Sequence, residues 1–203
     1  TVIPDFEEGN VKAFFAKTLN LEPFPTTKQR LKLYEDKAAD IAVKAAQECI
    51  NSLPEDLTKK ISHLITVSCT GMYAPGVDIE LVEKLGLNRH TERTCINFMG
   101  FYGAINALKV ADYICRSEED AKVLIVSIEL CTLHFQKVNK LDNWIANSLF
   151  SDGSAAVIVE NSAQRTGDKN SLLLSTFYSE FVPEAKNEMG WTVGDMGFEM
   201  KLT

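Results

Sequence analysis

The chain has 203 residues, 45% of them hydrophobic, enough to bury a substantial core, and carries a formal net charge of −7 with a pI near 5.1. Acids and bases are interspersed along it, so it offers no basic face to nucleic acid or to an anionic membrane. No apolar run approaches the ~20 residues of a membrane-spanning helix, and no charged-then-apolar signal segment opens the chain, which begins at Thr1 and not at a methionine.

The first 30 residues are mixed, with "PFPTTKQR" reading as a loop into a helix. Over 31–52 the residues Ala38, Ala42, Ala45 and Cys49 recur at helical spacing and predict a core-facing stripe. "HLITVSC" (63–69) is a short β-branched run, the pattern of a strand buried on both faces. "TGMYAPG" is a loop; Asp78 is the expected N-cap of a helix over "IELVEKL", and Gly86 its expected end. "TCINFMG" predicts a second buried strand, followed by a turn at Gly100 and a helix over about 102–115 with Ala104, Leu108, Ala111 and Cys115 on one stripe.

"KVLIVSIE" (122–129) is a third buried strand, "LDNWIANSLF" a short helix, and "SDGSAAVIVE" a turn into a fourth strand. "NSAQRTGDKN" reads as a surface loop. "SLLLSTFYSEFVP" alternates and predicts a fifth strand, antiparallel and near an edge, and the tail "GFEMKLT" begins another. Strands alternating with helices through short connections define a layered α/β fold.

Chemistry-bearing residues are sparse. Cys49, Cys69, Cys95, Cys115 and Cys131 are odd in number and form no CxxC pair, so reduced thiols in a cytoplasmic setting are expected rather than a disulfide framework. His63, His90 and His134 are scattered, which argues against zinc, and no cofactor is expected. Ser68 and Ser151 have no histidine near them in sequence. The turn at Gly100 builds a strand–helix elbow, the place where many α/β enzymes present a nucleophile. Here that place holds Phe101, which can do no covalent chemistry. Cys95, mid-strand and six residues upstream, reads as an inert core thiol.

"VSCTGMYAPGVDIELVEKLGL", the elbow helix, "AKVLIVSIELCTLHFQ" and "ANSLFSDGSAAVIVE", in this order and spacing, resemble the N-terminal half of a bacterial type III polyketide synthase. That is the chalcone-synthase-like branch of the thiolase-fold condensing enzymes, and the resemblance runs from about residue 28 to the end. It implies one unit over 1–203, a layered thiolase-like half-fold with a mixed, mostly parallel sheet, the C-terminal half lying outside the chain. It implies acyl-CoA and malonyl-CoA as substrates, decarboxylative condensation as the reaction, and a homodimer. In such enzymes a cysteine after the elbow glycine attacks the acyl-CoA thioester, its pKa lowered by the helix N-terminus. A histidine and an asparagine from the second half then assist decarboxylation and stabilise the enolate.

Counting back from "AKVLIVSIE", the cysteine position falls on Phe101, and the chain ends before the region of the histidine and asparagine. The resemblance assigns Phe150 to an aromatic gatekeeper between CoA tunnel and cavity, Glu129 and His134 to the cavity around the reacting acyl group, and Met200 to a second gatekeeping position. Cys131 resembles a cavity-lining position and otherwise reads as packing. Ala74 falls on the loop inserted into the neighbouring protomer's cavity. Two readings follow: a fragment or variant of a condensing enzyme, or a non-catalytic subunit that pairs with a competent synthase or binds acyl-CoA. In either, Phe101 is expected to plug the cavity and lie near Phe150; the alternative is a ring packed with Phe98 or Met99.

Overall fold

The computed structural model describes residues 14–161 and 171–202. α1 (Thr27–Asn51) starts at a capping box, in which the Thr26 hydroxyl and the Gln29 side chain satisfy each other's backbone N–H groups. Its buried stripe is Tyr34, Ala38, Ala39, Ala42, Ala46 and Ile50. Ala45 and Cys49, expected in that stripe, are half-buried at its flank. The small alanines let the helix lie close against the sheet.

Then follow β1 (His63–Ser68), α2 (Val77–Leu85), β2 (Glu92–Asn97), α3 (Gly103–Ser117), β3 (Lys122–Leu130), α4 (Leu141–Leu149) and β4 (Asp152–Glu160). The sheet order is β2-β1-β3-β4, with β1 parallel to both neighbours and β4 antiparallel to β3. Alternate residues of β1 and β3 feed two cores. Leu64, Leu124, Val126 and Ile128 pack with α1, whereas Ile65, Val67, Val123 and Ile125 pack with Ala107, Ala111 and Cys115 of α3. That two-sided burial is why these strands read as continuous apolar runs. On α3 the buried stripe is Gly103, Ala107, Ala111 and Cys115, so Ala104 and Leu108 flank it.

Three expectations are corrected. β2 is an edge strand, exposed except for half-buried Ile96, and Cys95 is exposed rather than core. The strand itself is "ERTCIN", largely polar; the apolar "FMG" that suggested burial lies beyond its end. The stretch 171–182 forms no strand, and Leu172, Leu173, Tyr178 and Phe181 are exposed. Alternation prepares a segment for a sheet, but its backbone groups need a neighbour, and none of the described strands pairs with it. Finally, α2 is N-capped by Gly76; Asp78 sits in the first turn and pairs with Arg93 at 2.6 Å. Gly86 ends α2 in the left-handed conformation, as expected. The loop expected over 161–170 lies outside the described residues from 162 onward.

The tail forms a hairpin, β5 (Met189–Gly194) and β6 (Gly197–Leu202), of which the sequence announced only the second strand. It is pinned to the N-terminus of α1. The Thr27 N–H donates to the Asp195 carbonyl at 2.8 Å, and the Gly197 N–H donates to Thr27 Oγ1 at 2.8 Å. Gly197 has φ +111°, and a Cβ there would stand 2.9 Å from Arg30 Cδ, so both backbone and space demand glycine.

Candidate active site at the elbow

β2 ends at Asn97, and the chain then turns sharply. Phe98 takes a left-handed conformation (φ 57°) and Gly100 another (φ 80°) before α3 begins with no side-chain cap. Positive φ at a bulky residue is an outlier that the surroundings must enforce. Here the Phe98 N–H is held by the Ser68 carbonyl at 3.0 Å, and its ring meets Phe198 edge-on at 5.6 Å. The turn delivers Phe101 to the mouth of the site, 42% exposed. Its ring centroid lies 5.1 Å from Phe150 and 6.4 Å from Trp191. The contact with Phe150 is the one the sequence anticipated; Phe98 packs elsewhere, on Phe198.

Behind these rings lies a cavity of about 80 Å3, lined by Cys131, His134, Phe150, Trp191, Phe198 and Met200 among others. The 3₁₀ turn after β3 (Cys131–His134) and the two residues that follow it supply one wall, α4 another and the hairpin a third. His134 is 4% exposed and stacks on Phe198, ring centroids 4.2 Å apart. The Phe198 N–H donates to its Nδ1 at 2.9 Å, so the proton sits on Nε2 and is donated to the Thr70 carbonyl at 2.6 Å. Both nitrogens are thereby engaged, and burial lowers the pKa to about 4. This histidine is a neutral structural link, with no free nitrogen for proton transfer.

Glu129 stands one layer back. Its carboxylate accepts the Cys69 N–H at 2.9 and 3.0 Å and the Thr70 hydroxyl at 2.8 Å, while burial raises its pKa. Thr70 therefore joins Glu129 to His134, and His134 joins both to the hairpin. Trp191 adds a second tie, its Nε1–H donating to the Cys69 carbonyl at 2.9 Å. The thiol nearest the elbow is that of Cys69, donating to the Gly100 carbonyl at 3.3 Å. Burial, with Glu129 beside it, raises its pKa, and burial pushes Cys131 up to about 12. Neither has the depressed pKa of an activated nucleophile.

Arg30 supports the wall from behind. It is 0% exposed, lies over the rings of Phe15 and Phe24, and donates to the carbonyls of Pro25, Leu133 and Phe135 at 2.9, 2.5 and 3.1 Å. Its Nη2 has no hydrogen-bond partner, and burial lowers its pKa to about 10.

Of the residues singled out from sequence, Phe101, Phe150, His134 and Met200 converge, with Glu129 linked through Thr70. Ala74 does not join them; it is exposed on the loop between β1 and α2. Trp191, Phe198, Thr70 and Arg30 were not anticipated. "GWTVGDMGF" held the signal, aromatics beside paired glycines at hairpin spacing. Among the described residues no cluster of His, Cys, Asp and Glu could hold a metal ion.

A mixed, mostly parallel sheet between helices, with an elbow at its carboxyl end, is the thiolase-like architecture of the condensing enzymes, and solved structures bear this out. A type III polyketide synthase of Streptomyces coelicolor, 1,3,6,8-tetrahydroxynaphthalene synthase, superposes with a TM-score of 0.79 at 28% identity, over 88% of this chain and 50% of that one. PKS-I of the brown alga Ectocarpus siliculosus superposes at 0.90 over 99% of this chain and 53% of its own, and at 24% identity attests the fold alone.

The family description "Chalcone and stilbene synthases, N-terminal domain" matches residues 16–163, and the chain belongs to that family. Type III polyketide synthase A of Arabidopsis thaliana is 30% identical over 186 residues, 91% of this chain and 47% of the relative. The alpha-pyrone synthesis polyketide synthase-like Pks18 of Mycobacterium tuberculosis is 29% identical over 179 residues, 88% and 45% respectively. The chain thus spans about half the length of these relatives. No helix among the described residues is long and apolar enough to cross a membrane.

Proposed function

We propose that residues 1–203 form the N-terminal half of a type III polyketide synthase-type condensing unit that binds acyl-CoA but cannot itself take up the acyl group. The parent reaction is decarboxylative condensation of malonyl-CoA onto an acyl-CoA starter. The observation that carries the second clause is Phe101. It occupies the elbow in contact with Phe150, and the nearby thiols of Cys69 and Cys131 have raised pKa values. His134, the histidine that lines this cavity, is fully engaged and has no nitrogen free for the condensing step. Phe150 and Met200 act as gates, His134 and Glu129 shape the wall, and Ala74 reaches a neighbouring protomer. Five free thiols accord with a cytoplasmic setting.

A non-catalytic subunit that pairs with a competent synthase is the second reading. The fit of the Phe101 ring between Phe150 and Trp191 favours it, because a residue merely tolerated there would find no partners. In both readings the unit is dimeric. The exposed edge of β2 and the apolar Phe98, Met99, Tyr102 and Ile105 beside it supply a surface of the kind that monomers rarely leave open.

Intact-protein mass spectrometry after incubation with a fatty acyl-CoA tests the central claim. No adduct is expected, and a stoichiometric acyl adduct on any cysteine would refute it. In a longer protein that carries the second half, Phe101→Cys should gain the adduct. Light scattering checks the assembly: a monomer across a wide concentration range would count against the dimer.

A further inference from the structure

The foot of the sheet holds a cluster that the site at its head does not use. His63 opens β1, is buried, and stands between two carboxylates from different elements. Its Nε2 lies 3.7 Å from Glu92 Oε2, on the first residue of β2, and 3.8 Å from Glu118 Oε1, on the residue that caps α3. Both gaps are too long for a hydrogen bond and short enough for an ion pair. β2 and α3 are the two elements that enter and leave the elbow. The cluster therefore sits at the far end of both, ~20 Å from the elbow by the rise of the strand or of the helix.

The other ring nitrogen is prepared for either charge state. Ser62 Oγ lies 2.9 Å from Nδ1, accepts the Lys122 N–H at 3.0 Å, and has the Lys122 carbonyl at 3.3 Å to take its own hydrogen. The hydroxyl can donate to a neutral ring at Nδ1, or turn to that carbonyl and accept from a charged one. His134 has no such freedom, because a backbone N–H faces its Nδ1 and cannot turn. A proton added at His134 breaks a bond, whereas one added at His63 breaks none and sets a charge before two carboxylates. Around the ring, Lys122 of β3 is bound to Glu160 of β4 at 2.5 Å, and Arg93 of β2 to Asp78 at 2.6 Å. On the preceding turn Lys60 is bound to Glu55 at 2.9 Å. Burial, followed by the charges of Asp112, Glu160 and Glu118, raises the pKa of the Cys115 thiol on α3, so that thiol stays neutral. His90 is exposed on the turn before β2, and Glu119 and Asp120 on the turn into β3.

We propose that His63 is a proton-operated clasp: when charged it draws Glu92 and Glu118 together across the foot of the sheet, and so steadies the elbow held between β2 and α3. The clasp needs no ligand in the cavity. It tightens as pH falls, because the carboxylates favour the charged ring, and slackens as pH rises. The Glu92 and Glu118 side chains are 75% and 55% exposed, so water and salt screen both pairs and keep the gain modest. β2 pairs with β1 alone among the described strands, so even a modest gain at its first residue bears on the whole strand.

Three backbone amides read the clasp and its reach. Glu92 donates to the Ser62 carbonyl at 2.9 Å, Glu118 to the Ile114 carbonyl at 2.8 Å and, at the elbow, Phe98 to the Ser68 carbonyl at 3.0 Å. Hydrogen exchange at pH 7.5 and 5.5, expressed as protection corrected for intrinsic rate, brackets the range in which imidazoles change charge. Protection is taken relative to the Glu92→Gln/Glu118→Gln double variant. That variant keeps His134, so acid loosening there cancels in the ratio, and both replaced side chains are exposed, so the core stays intact. The expected ratio at Glu92 and Glu118 rises severalfold from pH 7.5 to 5.5, with a smaller rise at Phe98. His63→Gln should remove the rise and His90→Gln should keep it; the reverse would assign the proton to His90 and overturn the clasp. A ratio that stays flat or falls also overturns it, with or without a folded His63→Gln variant. A rise at Glu92 and Glu118 with none at Phe98 overturns its reach to the elbow.

Discussion

The α1 face of the sheet and the elbow face are built by different means. On the α1 side, Tyr34, Ala38, Ala42 and Ala46 meet Leu64, Leu124, Val126 and Ile128, all buried, and the packing needs no polar help beyond Tyr34 donating to Ser68 Oγ at 2.7 Å. On the elbow side, α4 has no buried residue, and Leu141, Trp144, Ile145 and Leu149 are exposed. There the walls stand because single polar groups hold backbone: Arg30 on Leu133 and Phe135, His134 on Thr70 and Phe198, Trp191 on Cys69. A core of small and branched apolar residues tolerates substitutions that conserve volume. A wall hung on a few hydrogen bonds does not.

Arg30 gives the largest test, because it belongs to α1 and holds up the site. Arg30→Ala removes a large buried side chain and leaves three carbonyls without their donor, so a loss of ~3–5 kcal/mol is expected. Arg30→Met keeps most of the volume and also removes the partnerless Nη2, so it should cost only ~1–2 kcal/mol. Urea midpoints of the two variants decide the matter. Equal losses would mean that the lost bonds to the three carbonyls alone account for Arg30 and that the packing of its side chain is unimportant.

His134 comes next, and its effect is one of pH. Its folded pKa of about 4 lies below the ordinary histidine value of 6.5, so the unfolded chain binds the proton more readily. Stability from this group is therefore complete above pH 6.5 and is lost as pH falls from there towards 4, by at most ~3 kcal/mol. Protonation would put a hydrogen on Nδ1, where the Phe198 N–H now donates, so the hairpin should loosen first. Hydrogen exchange at Phe198 and Trp191 between pH 7 and 4, compared with a His134→Gln variant, reads this out. Hairpin amides whose protection, corrected for the slower intrinsic exchange at low pH, is equal at both pH values in the parent would contradict it.

Phe101→Ala should cost less, ~1 kcal/mol, because the ring is 42% exposed and makes two aromatic contacts rather than filling a core. Its larger effect should be on ligand access: truncation opens the elbow side and strengthens acyl-CoA binding, measurable by calorimetry. Unchanged binding together with a stability loss of several kcal/mol would make Phe101 an ordinary core residue.

How much of this was legible follows the same division. The strands at 63–68 and 122–130 and the helices between them announce themselves, because two-sided burial and helical stripes are local patterns; the strand at 152–160, also expected to be buried, lies at the sheet edge with no buried residue. The elbow was legible too, from one glycine between an apolar stretch and a helix, and so was the meeting of Phe101 with Phe150. β2 and 171–182 misled, because apolar composition says that a segment wants cover and not whether a neighbour is present to give it. Arg30 and Thr70 were illegible for another reason. A buried arginine and a threonine after a strand look like surface and turn residues until their partners, the Leu133 carbonyl 103 residues from Arg30 and the His134 ring 64 residues from Thr70, are folded against them.

The smallest expected effect lies at Phe98, where strain and packing nearly cancel. A left-handed conformation costs a bulky residue ~1–2 kcal/mol, which Phe98→Gly would recover. Against that, glycine loses ~0.5–1 kcal/mol in backbone entropy, and the edge-on contact with Phe198 is worth a further ~0.5–1.5 kcal/mol. The difference should lie within ~1 kcal/mol of zero, although an aromatic residue is being deleted at the turn that forms the site. If the elbow is strained to hold Phe101 against Phe150, the glycine variant should keep its thermal midpoint and lose order at the turn, seen as faster exchange at the Phe101 and Tyr102 amides. A midpoint drop worth several kcal/mol would show that the Phe98 ring is core in its own right, and the elbow would then belong with the α1 face rather than with the polar-hung wall.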